Sequence, residues 1–356
     1  MINSDKIKQW EYWPSWAFHL PLFPMLLVKV LKRGYPFTHF LEANPCFFMS
    51  GHGNESKFKT LELLPKELRP KTIKINIHKS SDLIAVEIEN ANISFPLILK
   101  PDIGFRGLGV FKIADAQELK TKLEFINKRL NGLERGRYFL IQEYLNLQEE
   151  YAVFYHKDQG ENKGRISSLT KKEFLEVLGD GTSSISQLIE LHPRAKLYKY
   201  VLSNESFDPE YIPNKGEHFR LSDIGNHSRG SRFINITDLI NDKMEAKFTE
   251  IAKDIPNFNY GRFDLKCNSI TDLENGANLR IIELNGIVAE PVHIYDSQTF
   301  SYLKALKVLK NHWNILDSII DQQVTVKDRK LTPTKVYIRE MKSLYHYKKQ
   351  LESRLL

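Results

Sequence analysis

Apolar and polar positions change rhythm several times along this chain. Ser81 to Asn90 reads as a helix, and the apolar run Phe95-Pro96-Leu97-Ile98-Leu99 after it reads as a buried strand. A glycine-containing loop follows, then a helix over about Ala116–Leu130. Tyr138–Tyr144 and Tyr151–His156 are rich in aromatic and aliphatic residues and predict strands. Lys172–Val177 and Ile185–Leu191 read as helical pieces around the turn Gly179-Asp180-Gly181. A long amphipathic helix is expected over Leu239–Asp254, then strands over Tyr260–Lys266 and Leu279–Asn285, then a mostly helical remainder. Strands alternating with helices, with some hairpins, predict an α/β or α+β class.

Three regions follow from this pattern. Residues 1–75 are aromatic-rich and irregular, with a turn at Gly51-His52-Gly53. Pro65, Pro70 and the basic run around Lys71 mark a boundary. Residues 76–300 hold the alternating elements, in lobes 76–145 and 146–300, and 301–356 form a basic helical extension. The stretch Trp13–Val28 carries no Lys, Arg, Asp or Glu. It is too short to span a bilayer, which takes about 20 apolar residues. Pro14, Pro21 and Pro24 interrupt it, and no small-residue cleavage site follows. The preferred reading is core of a small N-terminal domain. The alternative is a peripheral membrane contact through residues 10–33, with Trp10, Tyr12, Trp13, Trp16 and Phe18 at the interface and Lys29, Lys32 and Arg33 near head groups.

Composition narrows the class. With 356 residues, 42% apolar and 27% charged, disordered and fibrous chains drop out. Cys46 and Cys267 cannot make a disulfide framework and no CxxC spacing is present, so a reducing, cytoplasmic setting is expected. The net charge is +7. Much of the excess follows residue 300, in Lys304, Lys307, Lys310, Lys327, Arg329, Lys330, Lys335, Arg339, Lys342, Lys348, Lys349 and Arg354. A solvated helical face accounts for it, and without a reading motif no nucleic-acid partner is expected.

The candidate chemistry sits in three places. In Gly261-Arg262-Phe263-Asp264-Leu265, alternation puts Arg262 and Asp264 on one face; in Ile281-Ile282-Glu283-Leu284-Asn285, Glu283 and Asn285 share a face. Paired as a hairpin, the four converge. Two carboxylates and an amide oxygen are hard ligands suited to Mg²⁺, with Arg262 placed for a phosphoryl oxygen or oxyanion. The second place is Lys100-Pro101, which feeds Gly104-Phe105-Arg106-Gly107-Leu108-Gly109. Glycines let backbone N–H groups approach phosphate. Neither a P-loop nor a dinucleotide fingerprint is present. The third is Gln142-Glu143-Tyr144-Leu145 with Glu149 and Glu150 beyond it, where a strand leaving into a linker can meet an adenine edge and a carboxylate can bind ribose.

In this order the pieces resemble the ATP-grasp superfamily, closest in pattern to D-alanine–D-alanine ligases, over roughly residues 76–296. The resemblance implies two α+β subdomains clamping ATP. It implies that Lys100 contacts phosphate and that Gly104, Gly107 and Gly109 belong to a mobile loop over ATP. Glu143, Tyr144 and Leu145 would contact adenine, and Glu150 ribose. Asp264, Glu283 and Asn285 would hold two Mg²⁺ ions, which Mn²⁺ can replace, and Arg262 would stabilise the tetrahedral intermediate. Leu178–Ile189 is similar to a block of the cyanophycin synthetase branch, as are Asn226-His227-Ser228-Arg229-Gly230 and Asn235-Ile236-Thr237-Asp238. This favours an amide-forming ligase over a carboxylase.

The chain departs from the pattern after Asn285. It reads Gly286-Ile287-Val288-Ala289-Glu290-Pro291-Val292-His293-Ile294-Tyr295-Asp296, without the family's Pro-Gly, so an acceptor other than D-alanine is implied. Glu55 and Ser56, in Gly51–Lys57, are the candidate substrate loop of the atypical N-terminal region. His227, Arg229, Glu290 and His293 are further substrate candidates, the histidines as contacts or proton acceptors. The expected reaction is ATP-dependent ligation of a small carboxylate to an amine through an acyl phosphate, in a protein that is often a homodimer among such ligases. The alternatives are an ATP-grasp kinase acting on a hydroxyl, and a non-catalytic ATP binder at a membrane.

Overall fold

The structure is a computed structural model that describes residues 9–33, 37–105, 107–158, 161–202, 207–324 and 332–355. Arg106 of the glycine loop, and Lys327, Arg329 and Lys330 of the basic excess, lie outside the described residues.

The chain opens with short helices, α1 (Ser15–His19), α2 (Phe23–Arg33) and α3 (Lys57–Glu62). Next come β1 (Thr72–Asn76), α4 (Ser81–Asn90), β2 (Leu97–Pro101), β3 (Phe111–Ile113), α5 (Ala116–Leu130) and β4 (Tyr138–Glu143). The four strands form an antiparallel sheet in the order β1-β4-β2-β3. In β2, Leu97 and Leu99 point inward while Lys100 takes the opposite face, as the two-residue period requires. Helix α5 buries Leu119, Leu123, Ile126 and Leu130, one stripe at helical spacing. Its start is fixed by a reciprocal cap: Glu118 N–H donates to Asp115, and Ala114 N–H donates to the Glu118 carboxylate.

The second sheet is built from β5 (Glu149–His156), β6 (Arg165–Glu173), β9 (Arg232–Asn235), β10 (Tyr260–Cys267) and β11 (Arg280–Asn285), in the order β11-β10-β5-β6-β9. A small ribbon of β7 (Glu176–Leu178) and β8 (His218–Arg220) stands apart. Helices α6 (Ile185–Leu191), α7 (Lys199–Leu202), α8 (Asp242–Lys253) and α9 (Ile270–Asn275) lie between strands. Tyr151, Val153, Tyr155, Phe263 and Leu265 pack against Met244, Phe248 and Ile251 of α8. Phe47, Leu61 and Leu64 share this core. On the opposite face, Phe154 and Tyr260 pack with Phe40, Leu41 and Met49 and with α10 (Tyr302–Val324). Among the described residues the fold class is therefore α+β, with two larger antiparallel sheets, the small ribbon, and two last helices, α10 and α11 (Thr334–Leu355).

Two sequence readings change. Lys172–Val177 is not helical: Lys172 lies in β6 opposite Glu150, and 176–178 is β7. Its backbone groups are claimed by neighbouring strands, which local propensity cannot foresee. The aromatic N-terminal stretch is only half core. Phe18 and Leu22 are buried with Ile294, Ala305 and Leu309, whereas Trp16, Leu20, Phe23, Leu27, Val28 and Leu31 are exposed. Among the described residues no helix is long and apolar enough to cross a membrane. The lysines of the C-terminal helix lie on a solvated face, as read from the sequence. Lys342, Lys348 and Lys349 are exposed, but Tyr347 and Leu351 of the same helix are buried in the core of the first sheet.

Candidate active site

Strands β10 and β11 pair antiparallel with Arg262 opposite Asn285 and Asp264 opposite Glu283. The hairpin read from alternation is therefore present in that register, and the four polar side chains share one face. Arg262 holds Asp264 with two bonds, Nε to Oδ1 at 2.7 Å and Nη2 to Oδ2 at 2.9 Å, and its Nη1 donates to the Glu290 carbonyl at 3.1 Å. Asn285 Nδ2 lies 3.4 Å from Asp264 Oδ2.

Lys100 reaches this face from the first sheet. Its Nζ donates to Gln142 Oε1 at 3.1 Å and to the Ile282 carbonyl of β11 at 3.4 Å. Both acceptors are neutral, and burial pushes its ammonium down to about 8, although Glu283 pulls the other way. Burial alone would raise the Glu283 carboxyl, but Lys57, Lys100 and Arg262 outweigh it and hold it at about 2.

Lys57 ion-pairs directly with Glu283 and was not among the sequence candidates, although it closes the Gly51–Lys57 loop. Two glycines bring that loop to the hairpin. A Cβ on Gly286 would fall 2.1 Å from the Ser50 carbonyl oxygen, and Gly51, at φ +80°, abuts Gly286 in turn. The signal available in the sequence was a lysine just after a Ser helix cap. Ser56 itself is that cap: its hydroxyl accepts from Lys59 N–H and donates to Asp102. Glu55 accepts from Gly53 N–H at 2.7 Å, and burial raises its carboxyl above the ordinary range.

Glu150 is buried and bound by Lys172 Nζ at 2.8 Å, and the same ammonium lies 3.5 Å from Asp264. Lys172 was missed because its strand was read as a helix. The Glu143 carboxylate turns to the sheet edge and accepts from Lys71 N–H at 2.8 Å. Half-buried Tyr144 and Leu145 follow it. The Tyr144 ring carries Lys112 at 4.4 Å and Lys266 at 5.6 Å. Tyr144 and Phe174 line a cavity of about 1120 Å³ that extends to Glu11, Arg194 and Tyr295. It shares Lys172 with the ion cluster, but Lys100, Arg262 and Glu283 are not on its walls.

In the glycine loop, Gly107 and Gly109 sit at φ +78° and +69°. Gly104 packs beside Pro101. The C-terminal helix braces the loop: Tyr347 OH donates to the Ile103 carbonyl at 2.8 Å, and its ring lies 5.8 Å from that of Phe105. Arg229 Nη2 donates to the Gly107 carbonyl at 3.2 Å, which ties the middle block to the loop.

The remaining candidates separate. Glu290 receives Tyr295 OH at 2.7 Å and lies 3.3 Å from His19 Nε2, beside Arg262. His227 Nε2 lies 3.0 Å from Glu11 Oε2 in a second polar cluster that includes Arg194 and Tyr12. His293 is buried, 2.5 Å from Ser168 Oγ and edge-on to Phe300, and burial drops its imidazole to about 4. It is a neutral core histidine at ordinary pH and is not brought to the cleft.

Among the described residues, no group of three or more His, Cys, Asp or Glu side chains gathers as a metal cage. The set Asp264, Glu283 and Asn285 fits Mg²⁺ on different grounds. It offers two facing carboxylates and an amide, hard donors that leave room for water and phosphate oxygens.

Two antiparallel sheets meet at a glycine loop, a half-buried lysine and a carboxylate-bearing hairpin. Residues 54–156 match the family model described as a RimK-like ATP-grasp domain. The match takes in Lys57, Lys100, the glycine loop and Glu150 and ends before Arg262, Asp264, Glu283 and Asn285. No curated protein matches the chain. Among solved structures, it is similar to a bifunctional glutathione synthetase from Pasteurella multocida, at 18% identity and a TM-score of 0.36, over 72% of this chain and 36% of that one. It is similar to the VanG D-Ala:D-Ser ligase from Enterococcus faecalis, at 15% identity and TM-score 0.41, over 76% and 61%. A D-alanine–D-alanine ligase from Bacillus anthracis gives 15% and 0.41, over 76% and 67%. The chain thus spans less than two thirds of the first two structures.

Proposed function

We propose that this protein is an ATP-dependent ligase that activates a small carboxylate as an acyl phosphate and joins it to an amine, with release of ADP and phosphate. One observation carries the reading: the ammonium of half-buried Lys100, bonded among the described residues to neutral oxygens, points at a hairpin face that bears Arg262, Asp264, Glu283 and Asn285. A cation drawn partly out of water without a direct ion pair is costly, and the triphosphate would supply the anion.

In this mechanism Lys100 and Lys57 neutralise phosphate oxygens, and backbone N–H groups of 104–109 cover them. Asp264, Glu283 and Asn285 would hold Mg²⁺, which spreads the charge between phosphate oxygens when bound. A carboxylate oxygen of the donor attacks the γ-phosphorus and ADP leaves. The amine nitrogen then attacks the acyl carbon, the C–O bond to phosphate breaks, and phosphate leaves. Arg262 would stabilise the oxyanion between these events. Closing the glycine loop excludes water, which would hydrolyse the intermediate. The acceptor is expected beside Glu290, whose carbonyl accepts from Arg262 and whose carboxylate meets Tyr295 and His19.

The test is release of ADP and phosphate from Mg²⁺-ATP with pooled amino acids, dipeptides and small carboxylic acids. Stimulated release of both products in equal amounts supports the ligase, and splitting the pool names the substrates. ADP formed without phosphate overturns it in favour of phosphoryl transfer to a hydroxyl.

A further inference from the structure

We propose that the N-terminal helices α1 and α2 form a docking ridge for an anionic lipid surface, on which the protein lies without inserting a span.

The exposed apolar residues here are not scattered. Trp16, Leu20, Phe23, Leu27 and Leu31 follow one another at spacings of four, three, four and four, the period of one helical face. The face runs through α1, the short turn Leu20–Leu22 and α2, whose junction residues Leu20 and Phe23 keep right-handed helical angles. Trp16 is 66% exposed, Leu27 60% and Leu31 71%, with Val28 beside them. The opposite face is fastened to the body by Phe18 and Leu22, by the Tyr302 hydroxyl on the Phe18 carbonyl, and by Lys29 on Asp317 at 2.5 Å. The helices are therefore seated, and the outward ridge remains bare. A contiguous apolar patch on an otherwise ordinary surface marks an interaction site.

Charge selects the occupant. No Asp or Glu occurs between Glu11 and Glu42. Lys32 is exposed at the far end of the ridge, and Lys304, Lys307 and Lys310 are exposed on α10, the helix on which the turn Leu20–Leu22 packs. A second copy would set cations against cations. An anionic bilayer accepts both features at once: the tryptophan, phenylalanine and leucines enter the head-group and acyl boundary while the lysines meet lipid phosphates and carboxylates.

The experiment uses the full chain, sedimented with vesicles of phosphatidylcholine with and without phosphatidylserine. Co-sedimentation with the serine-containing vesicles, reduced by salt, is expected. The double variant Leu27→Glu/Leu31→Glu should weaken it by at least about tenfold, because two leucines no longer leave water and two like charges face the lipid. Both positions are exposed, so thermal unfolding should not change; Trp16→Ser, at the other end of the ridge, gives an independent reading. Wild-type protein that stays in the supernatant overturns the proposal, as does undiminished binding by the variants. A concentration-dependent dimer that the double variant breaks, without vesicle binding, overturns it in favour of a second copy.

Discussion

Two buried ionic clusters in this molecule look alike in composition and differ in how their charges are used. Around Arg194 every guanidinium nitrogen is engaged: Nε on the Gly230 carbonyl, Nη2 on the Ser231 carbonyl, and Nη1 on Glu11 and the Tyr12 hydroxyl. That cluster fastens the first described residues to the second lobe. Around the β10/β11 hairpin, the ammonium of Lys100 meets only two neutral oxygens, and single side chains bridge between partners: Lys172 between Glu150 and Asp264, Arg262 between Asp264 and Glu290. A closed network stabilises one state. An underused cation beside facing carboxylates is ready for a charged ligand.

The contrast can be broken by substitution, and the largest effect is expected at Glu283. Glu283→Ala should lower the rate of ADP formation by at least about a thousandfold, roughly 4 kcal/mol in the barrier, while circular dichroism and thermal unfolding stay near wild type. Normal turnover would remove Glu283 from the site. Arg194→Ala should do the reverse. Taking the guanidinium from buried Glu11, which then keeps His227, is expected to cost about 2 kcal/mol of folding stability, read by urea denaturation, with little change in turnover per folded molecule. Lys57→Met should raise the KM for ATP about tenfold or more, and an unaltered KM would assign Lys57 to packing alone. The smallest effect belongs to Ser56→Ala, about 1 kcal/mol of stability through loss of the α3 cap.

The fastening cluster also carries a pH signature. Burial alone raises the Glu11 carboxyl, but the His227 hydrogen bond and Arg194 outweigh it, so its folded value lies below the ordinary 4.5. Its contribution is therefore present above pH 4.5 and is lost as pH falls through the depressed folded value. Unfolding followed against pH should show that loss in the wild type and a shallower slope in Glu11→Gln.

Much of the site was legible because sheet chemistry is local. Alternation placed Arg262 with Asp264 and Glu283 with Asn285, and the hairpin joined them in that register. The strand–lysine–glycine order around Lys100 was equally readable. Lys172 was not: its helical reading hid a strand whose partners lie 22 residues upstream in β5. Lys57 lies 226 positions from Glu283, and no local pattern joins them. His293 misled in the opposite direction, because its nearness in sequence to the hairpin said nothing of its burial against Ser168 and Phe300.

By itself, the sequence determined the α+β class, the ATP-grasp resemblance and which hairpin side chains share a face, because strand alternation and turn chemistry act between near neighbours. Only the tertiary structure decided that Lys57 meets Glu283, that Lys100 has no direct ion pair among the described residues, and that one face of the N-terminal helices is core while the other is exposed. Those outcomes depend on which distant surfaces exclude water from which side chains, and burial of that kind exists only once the chain has packed.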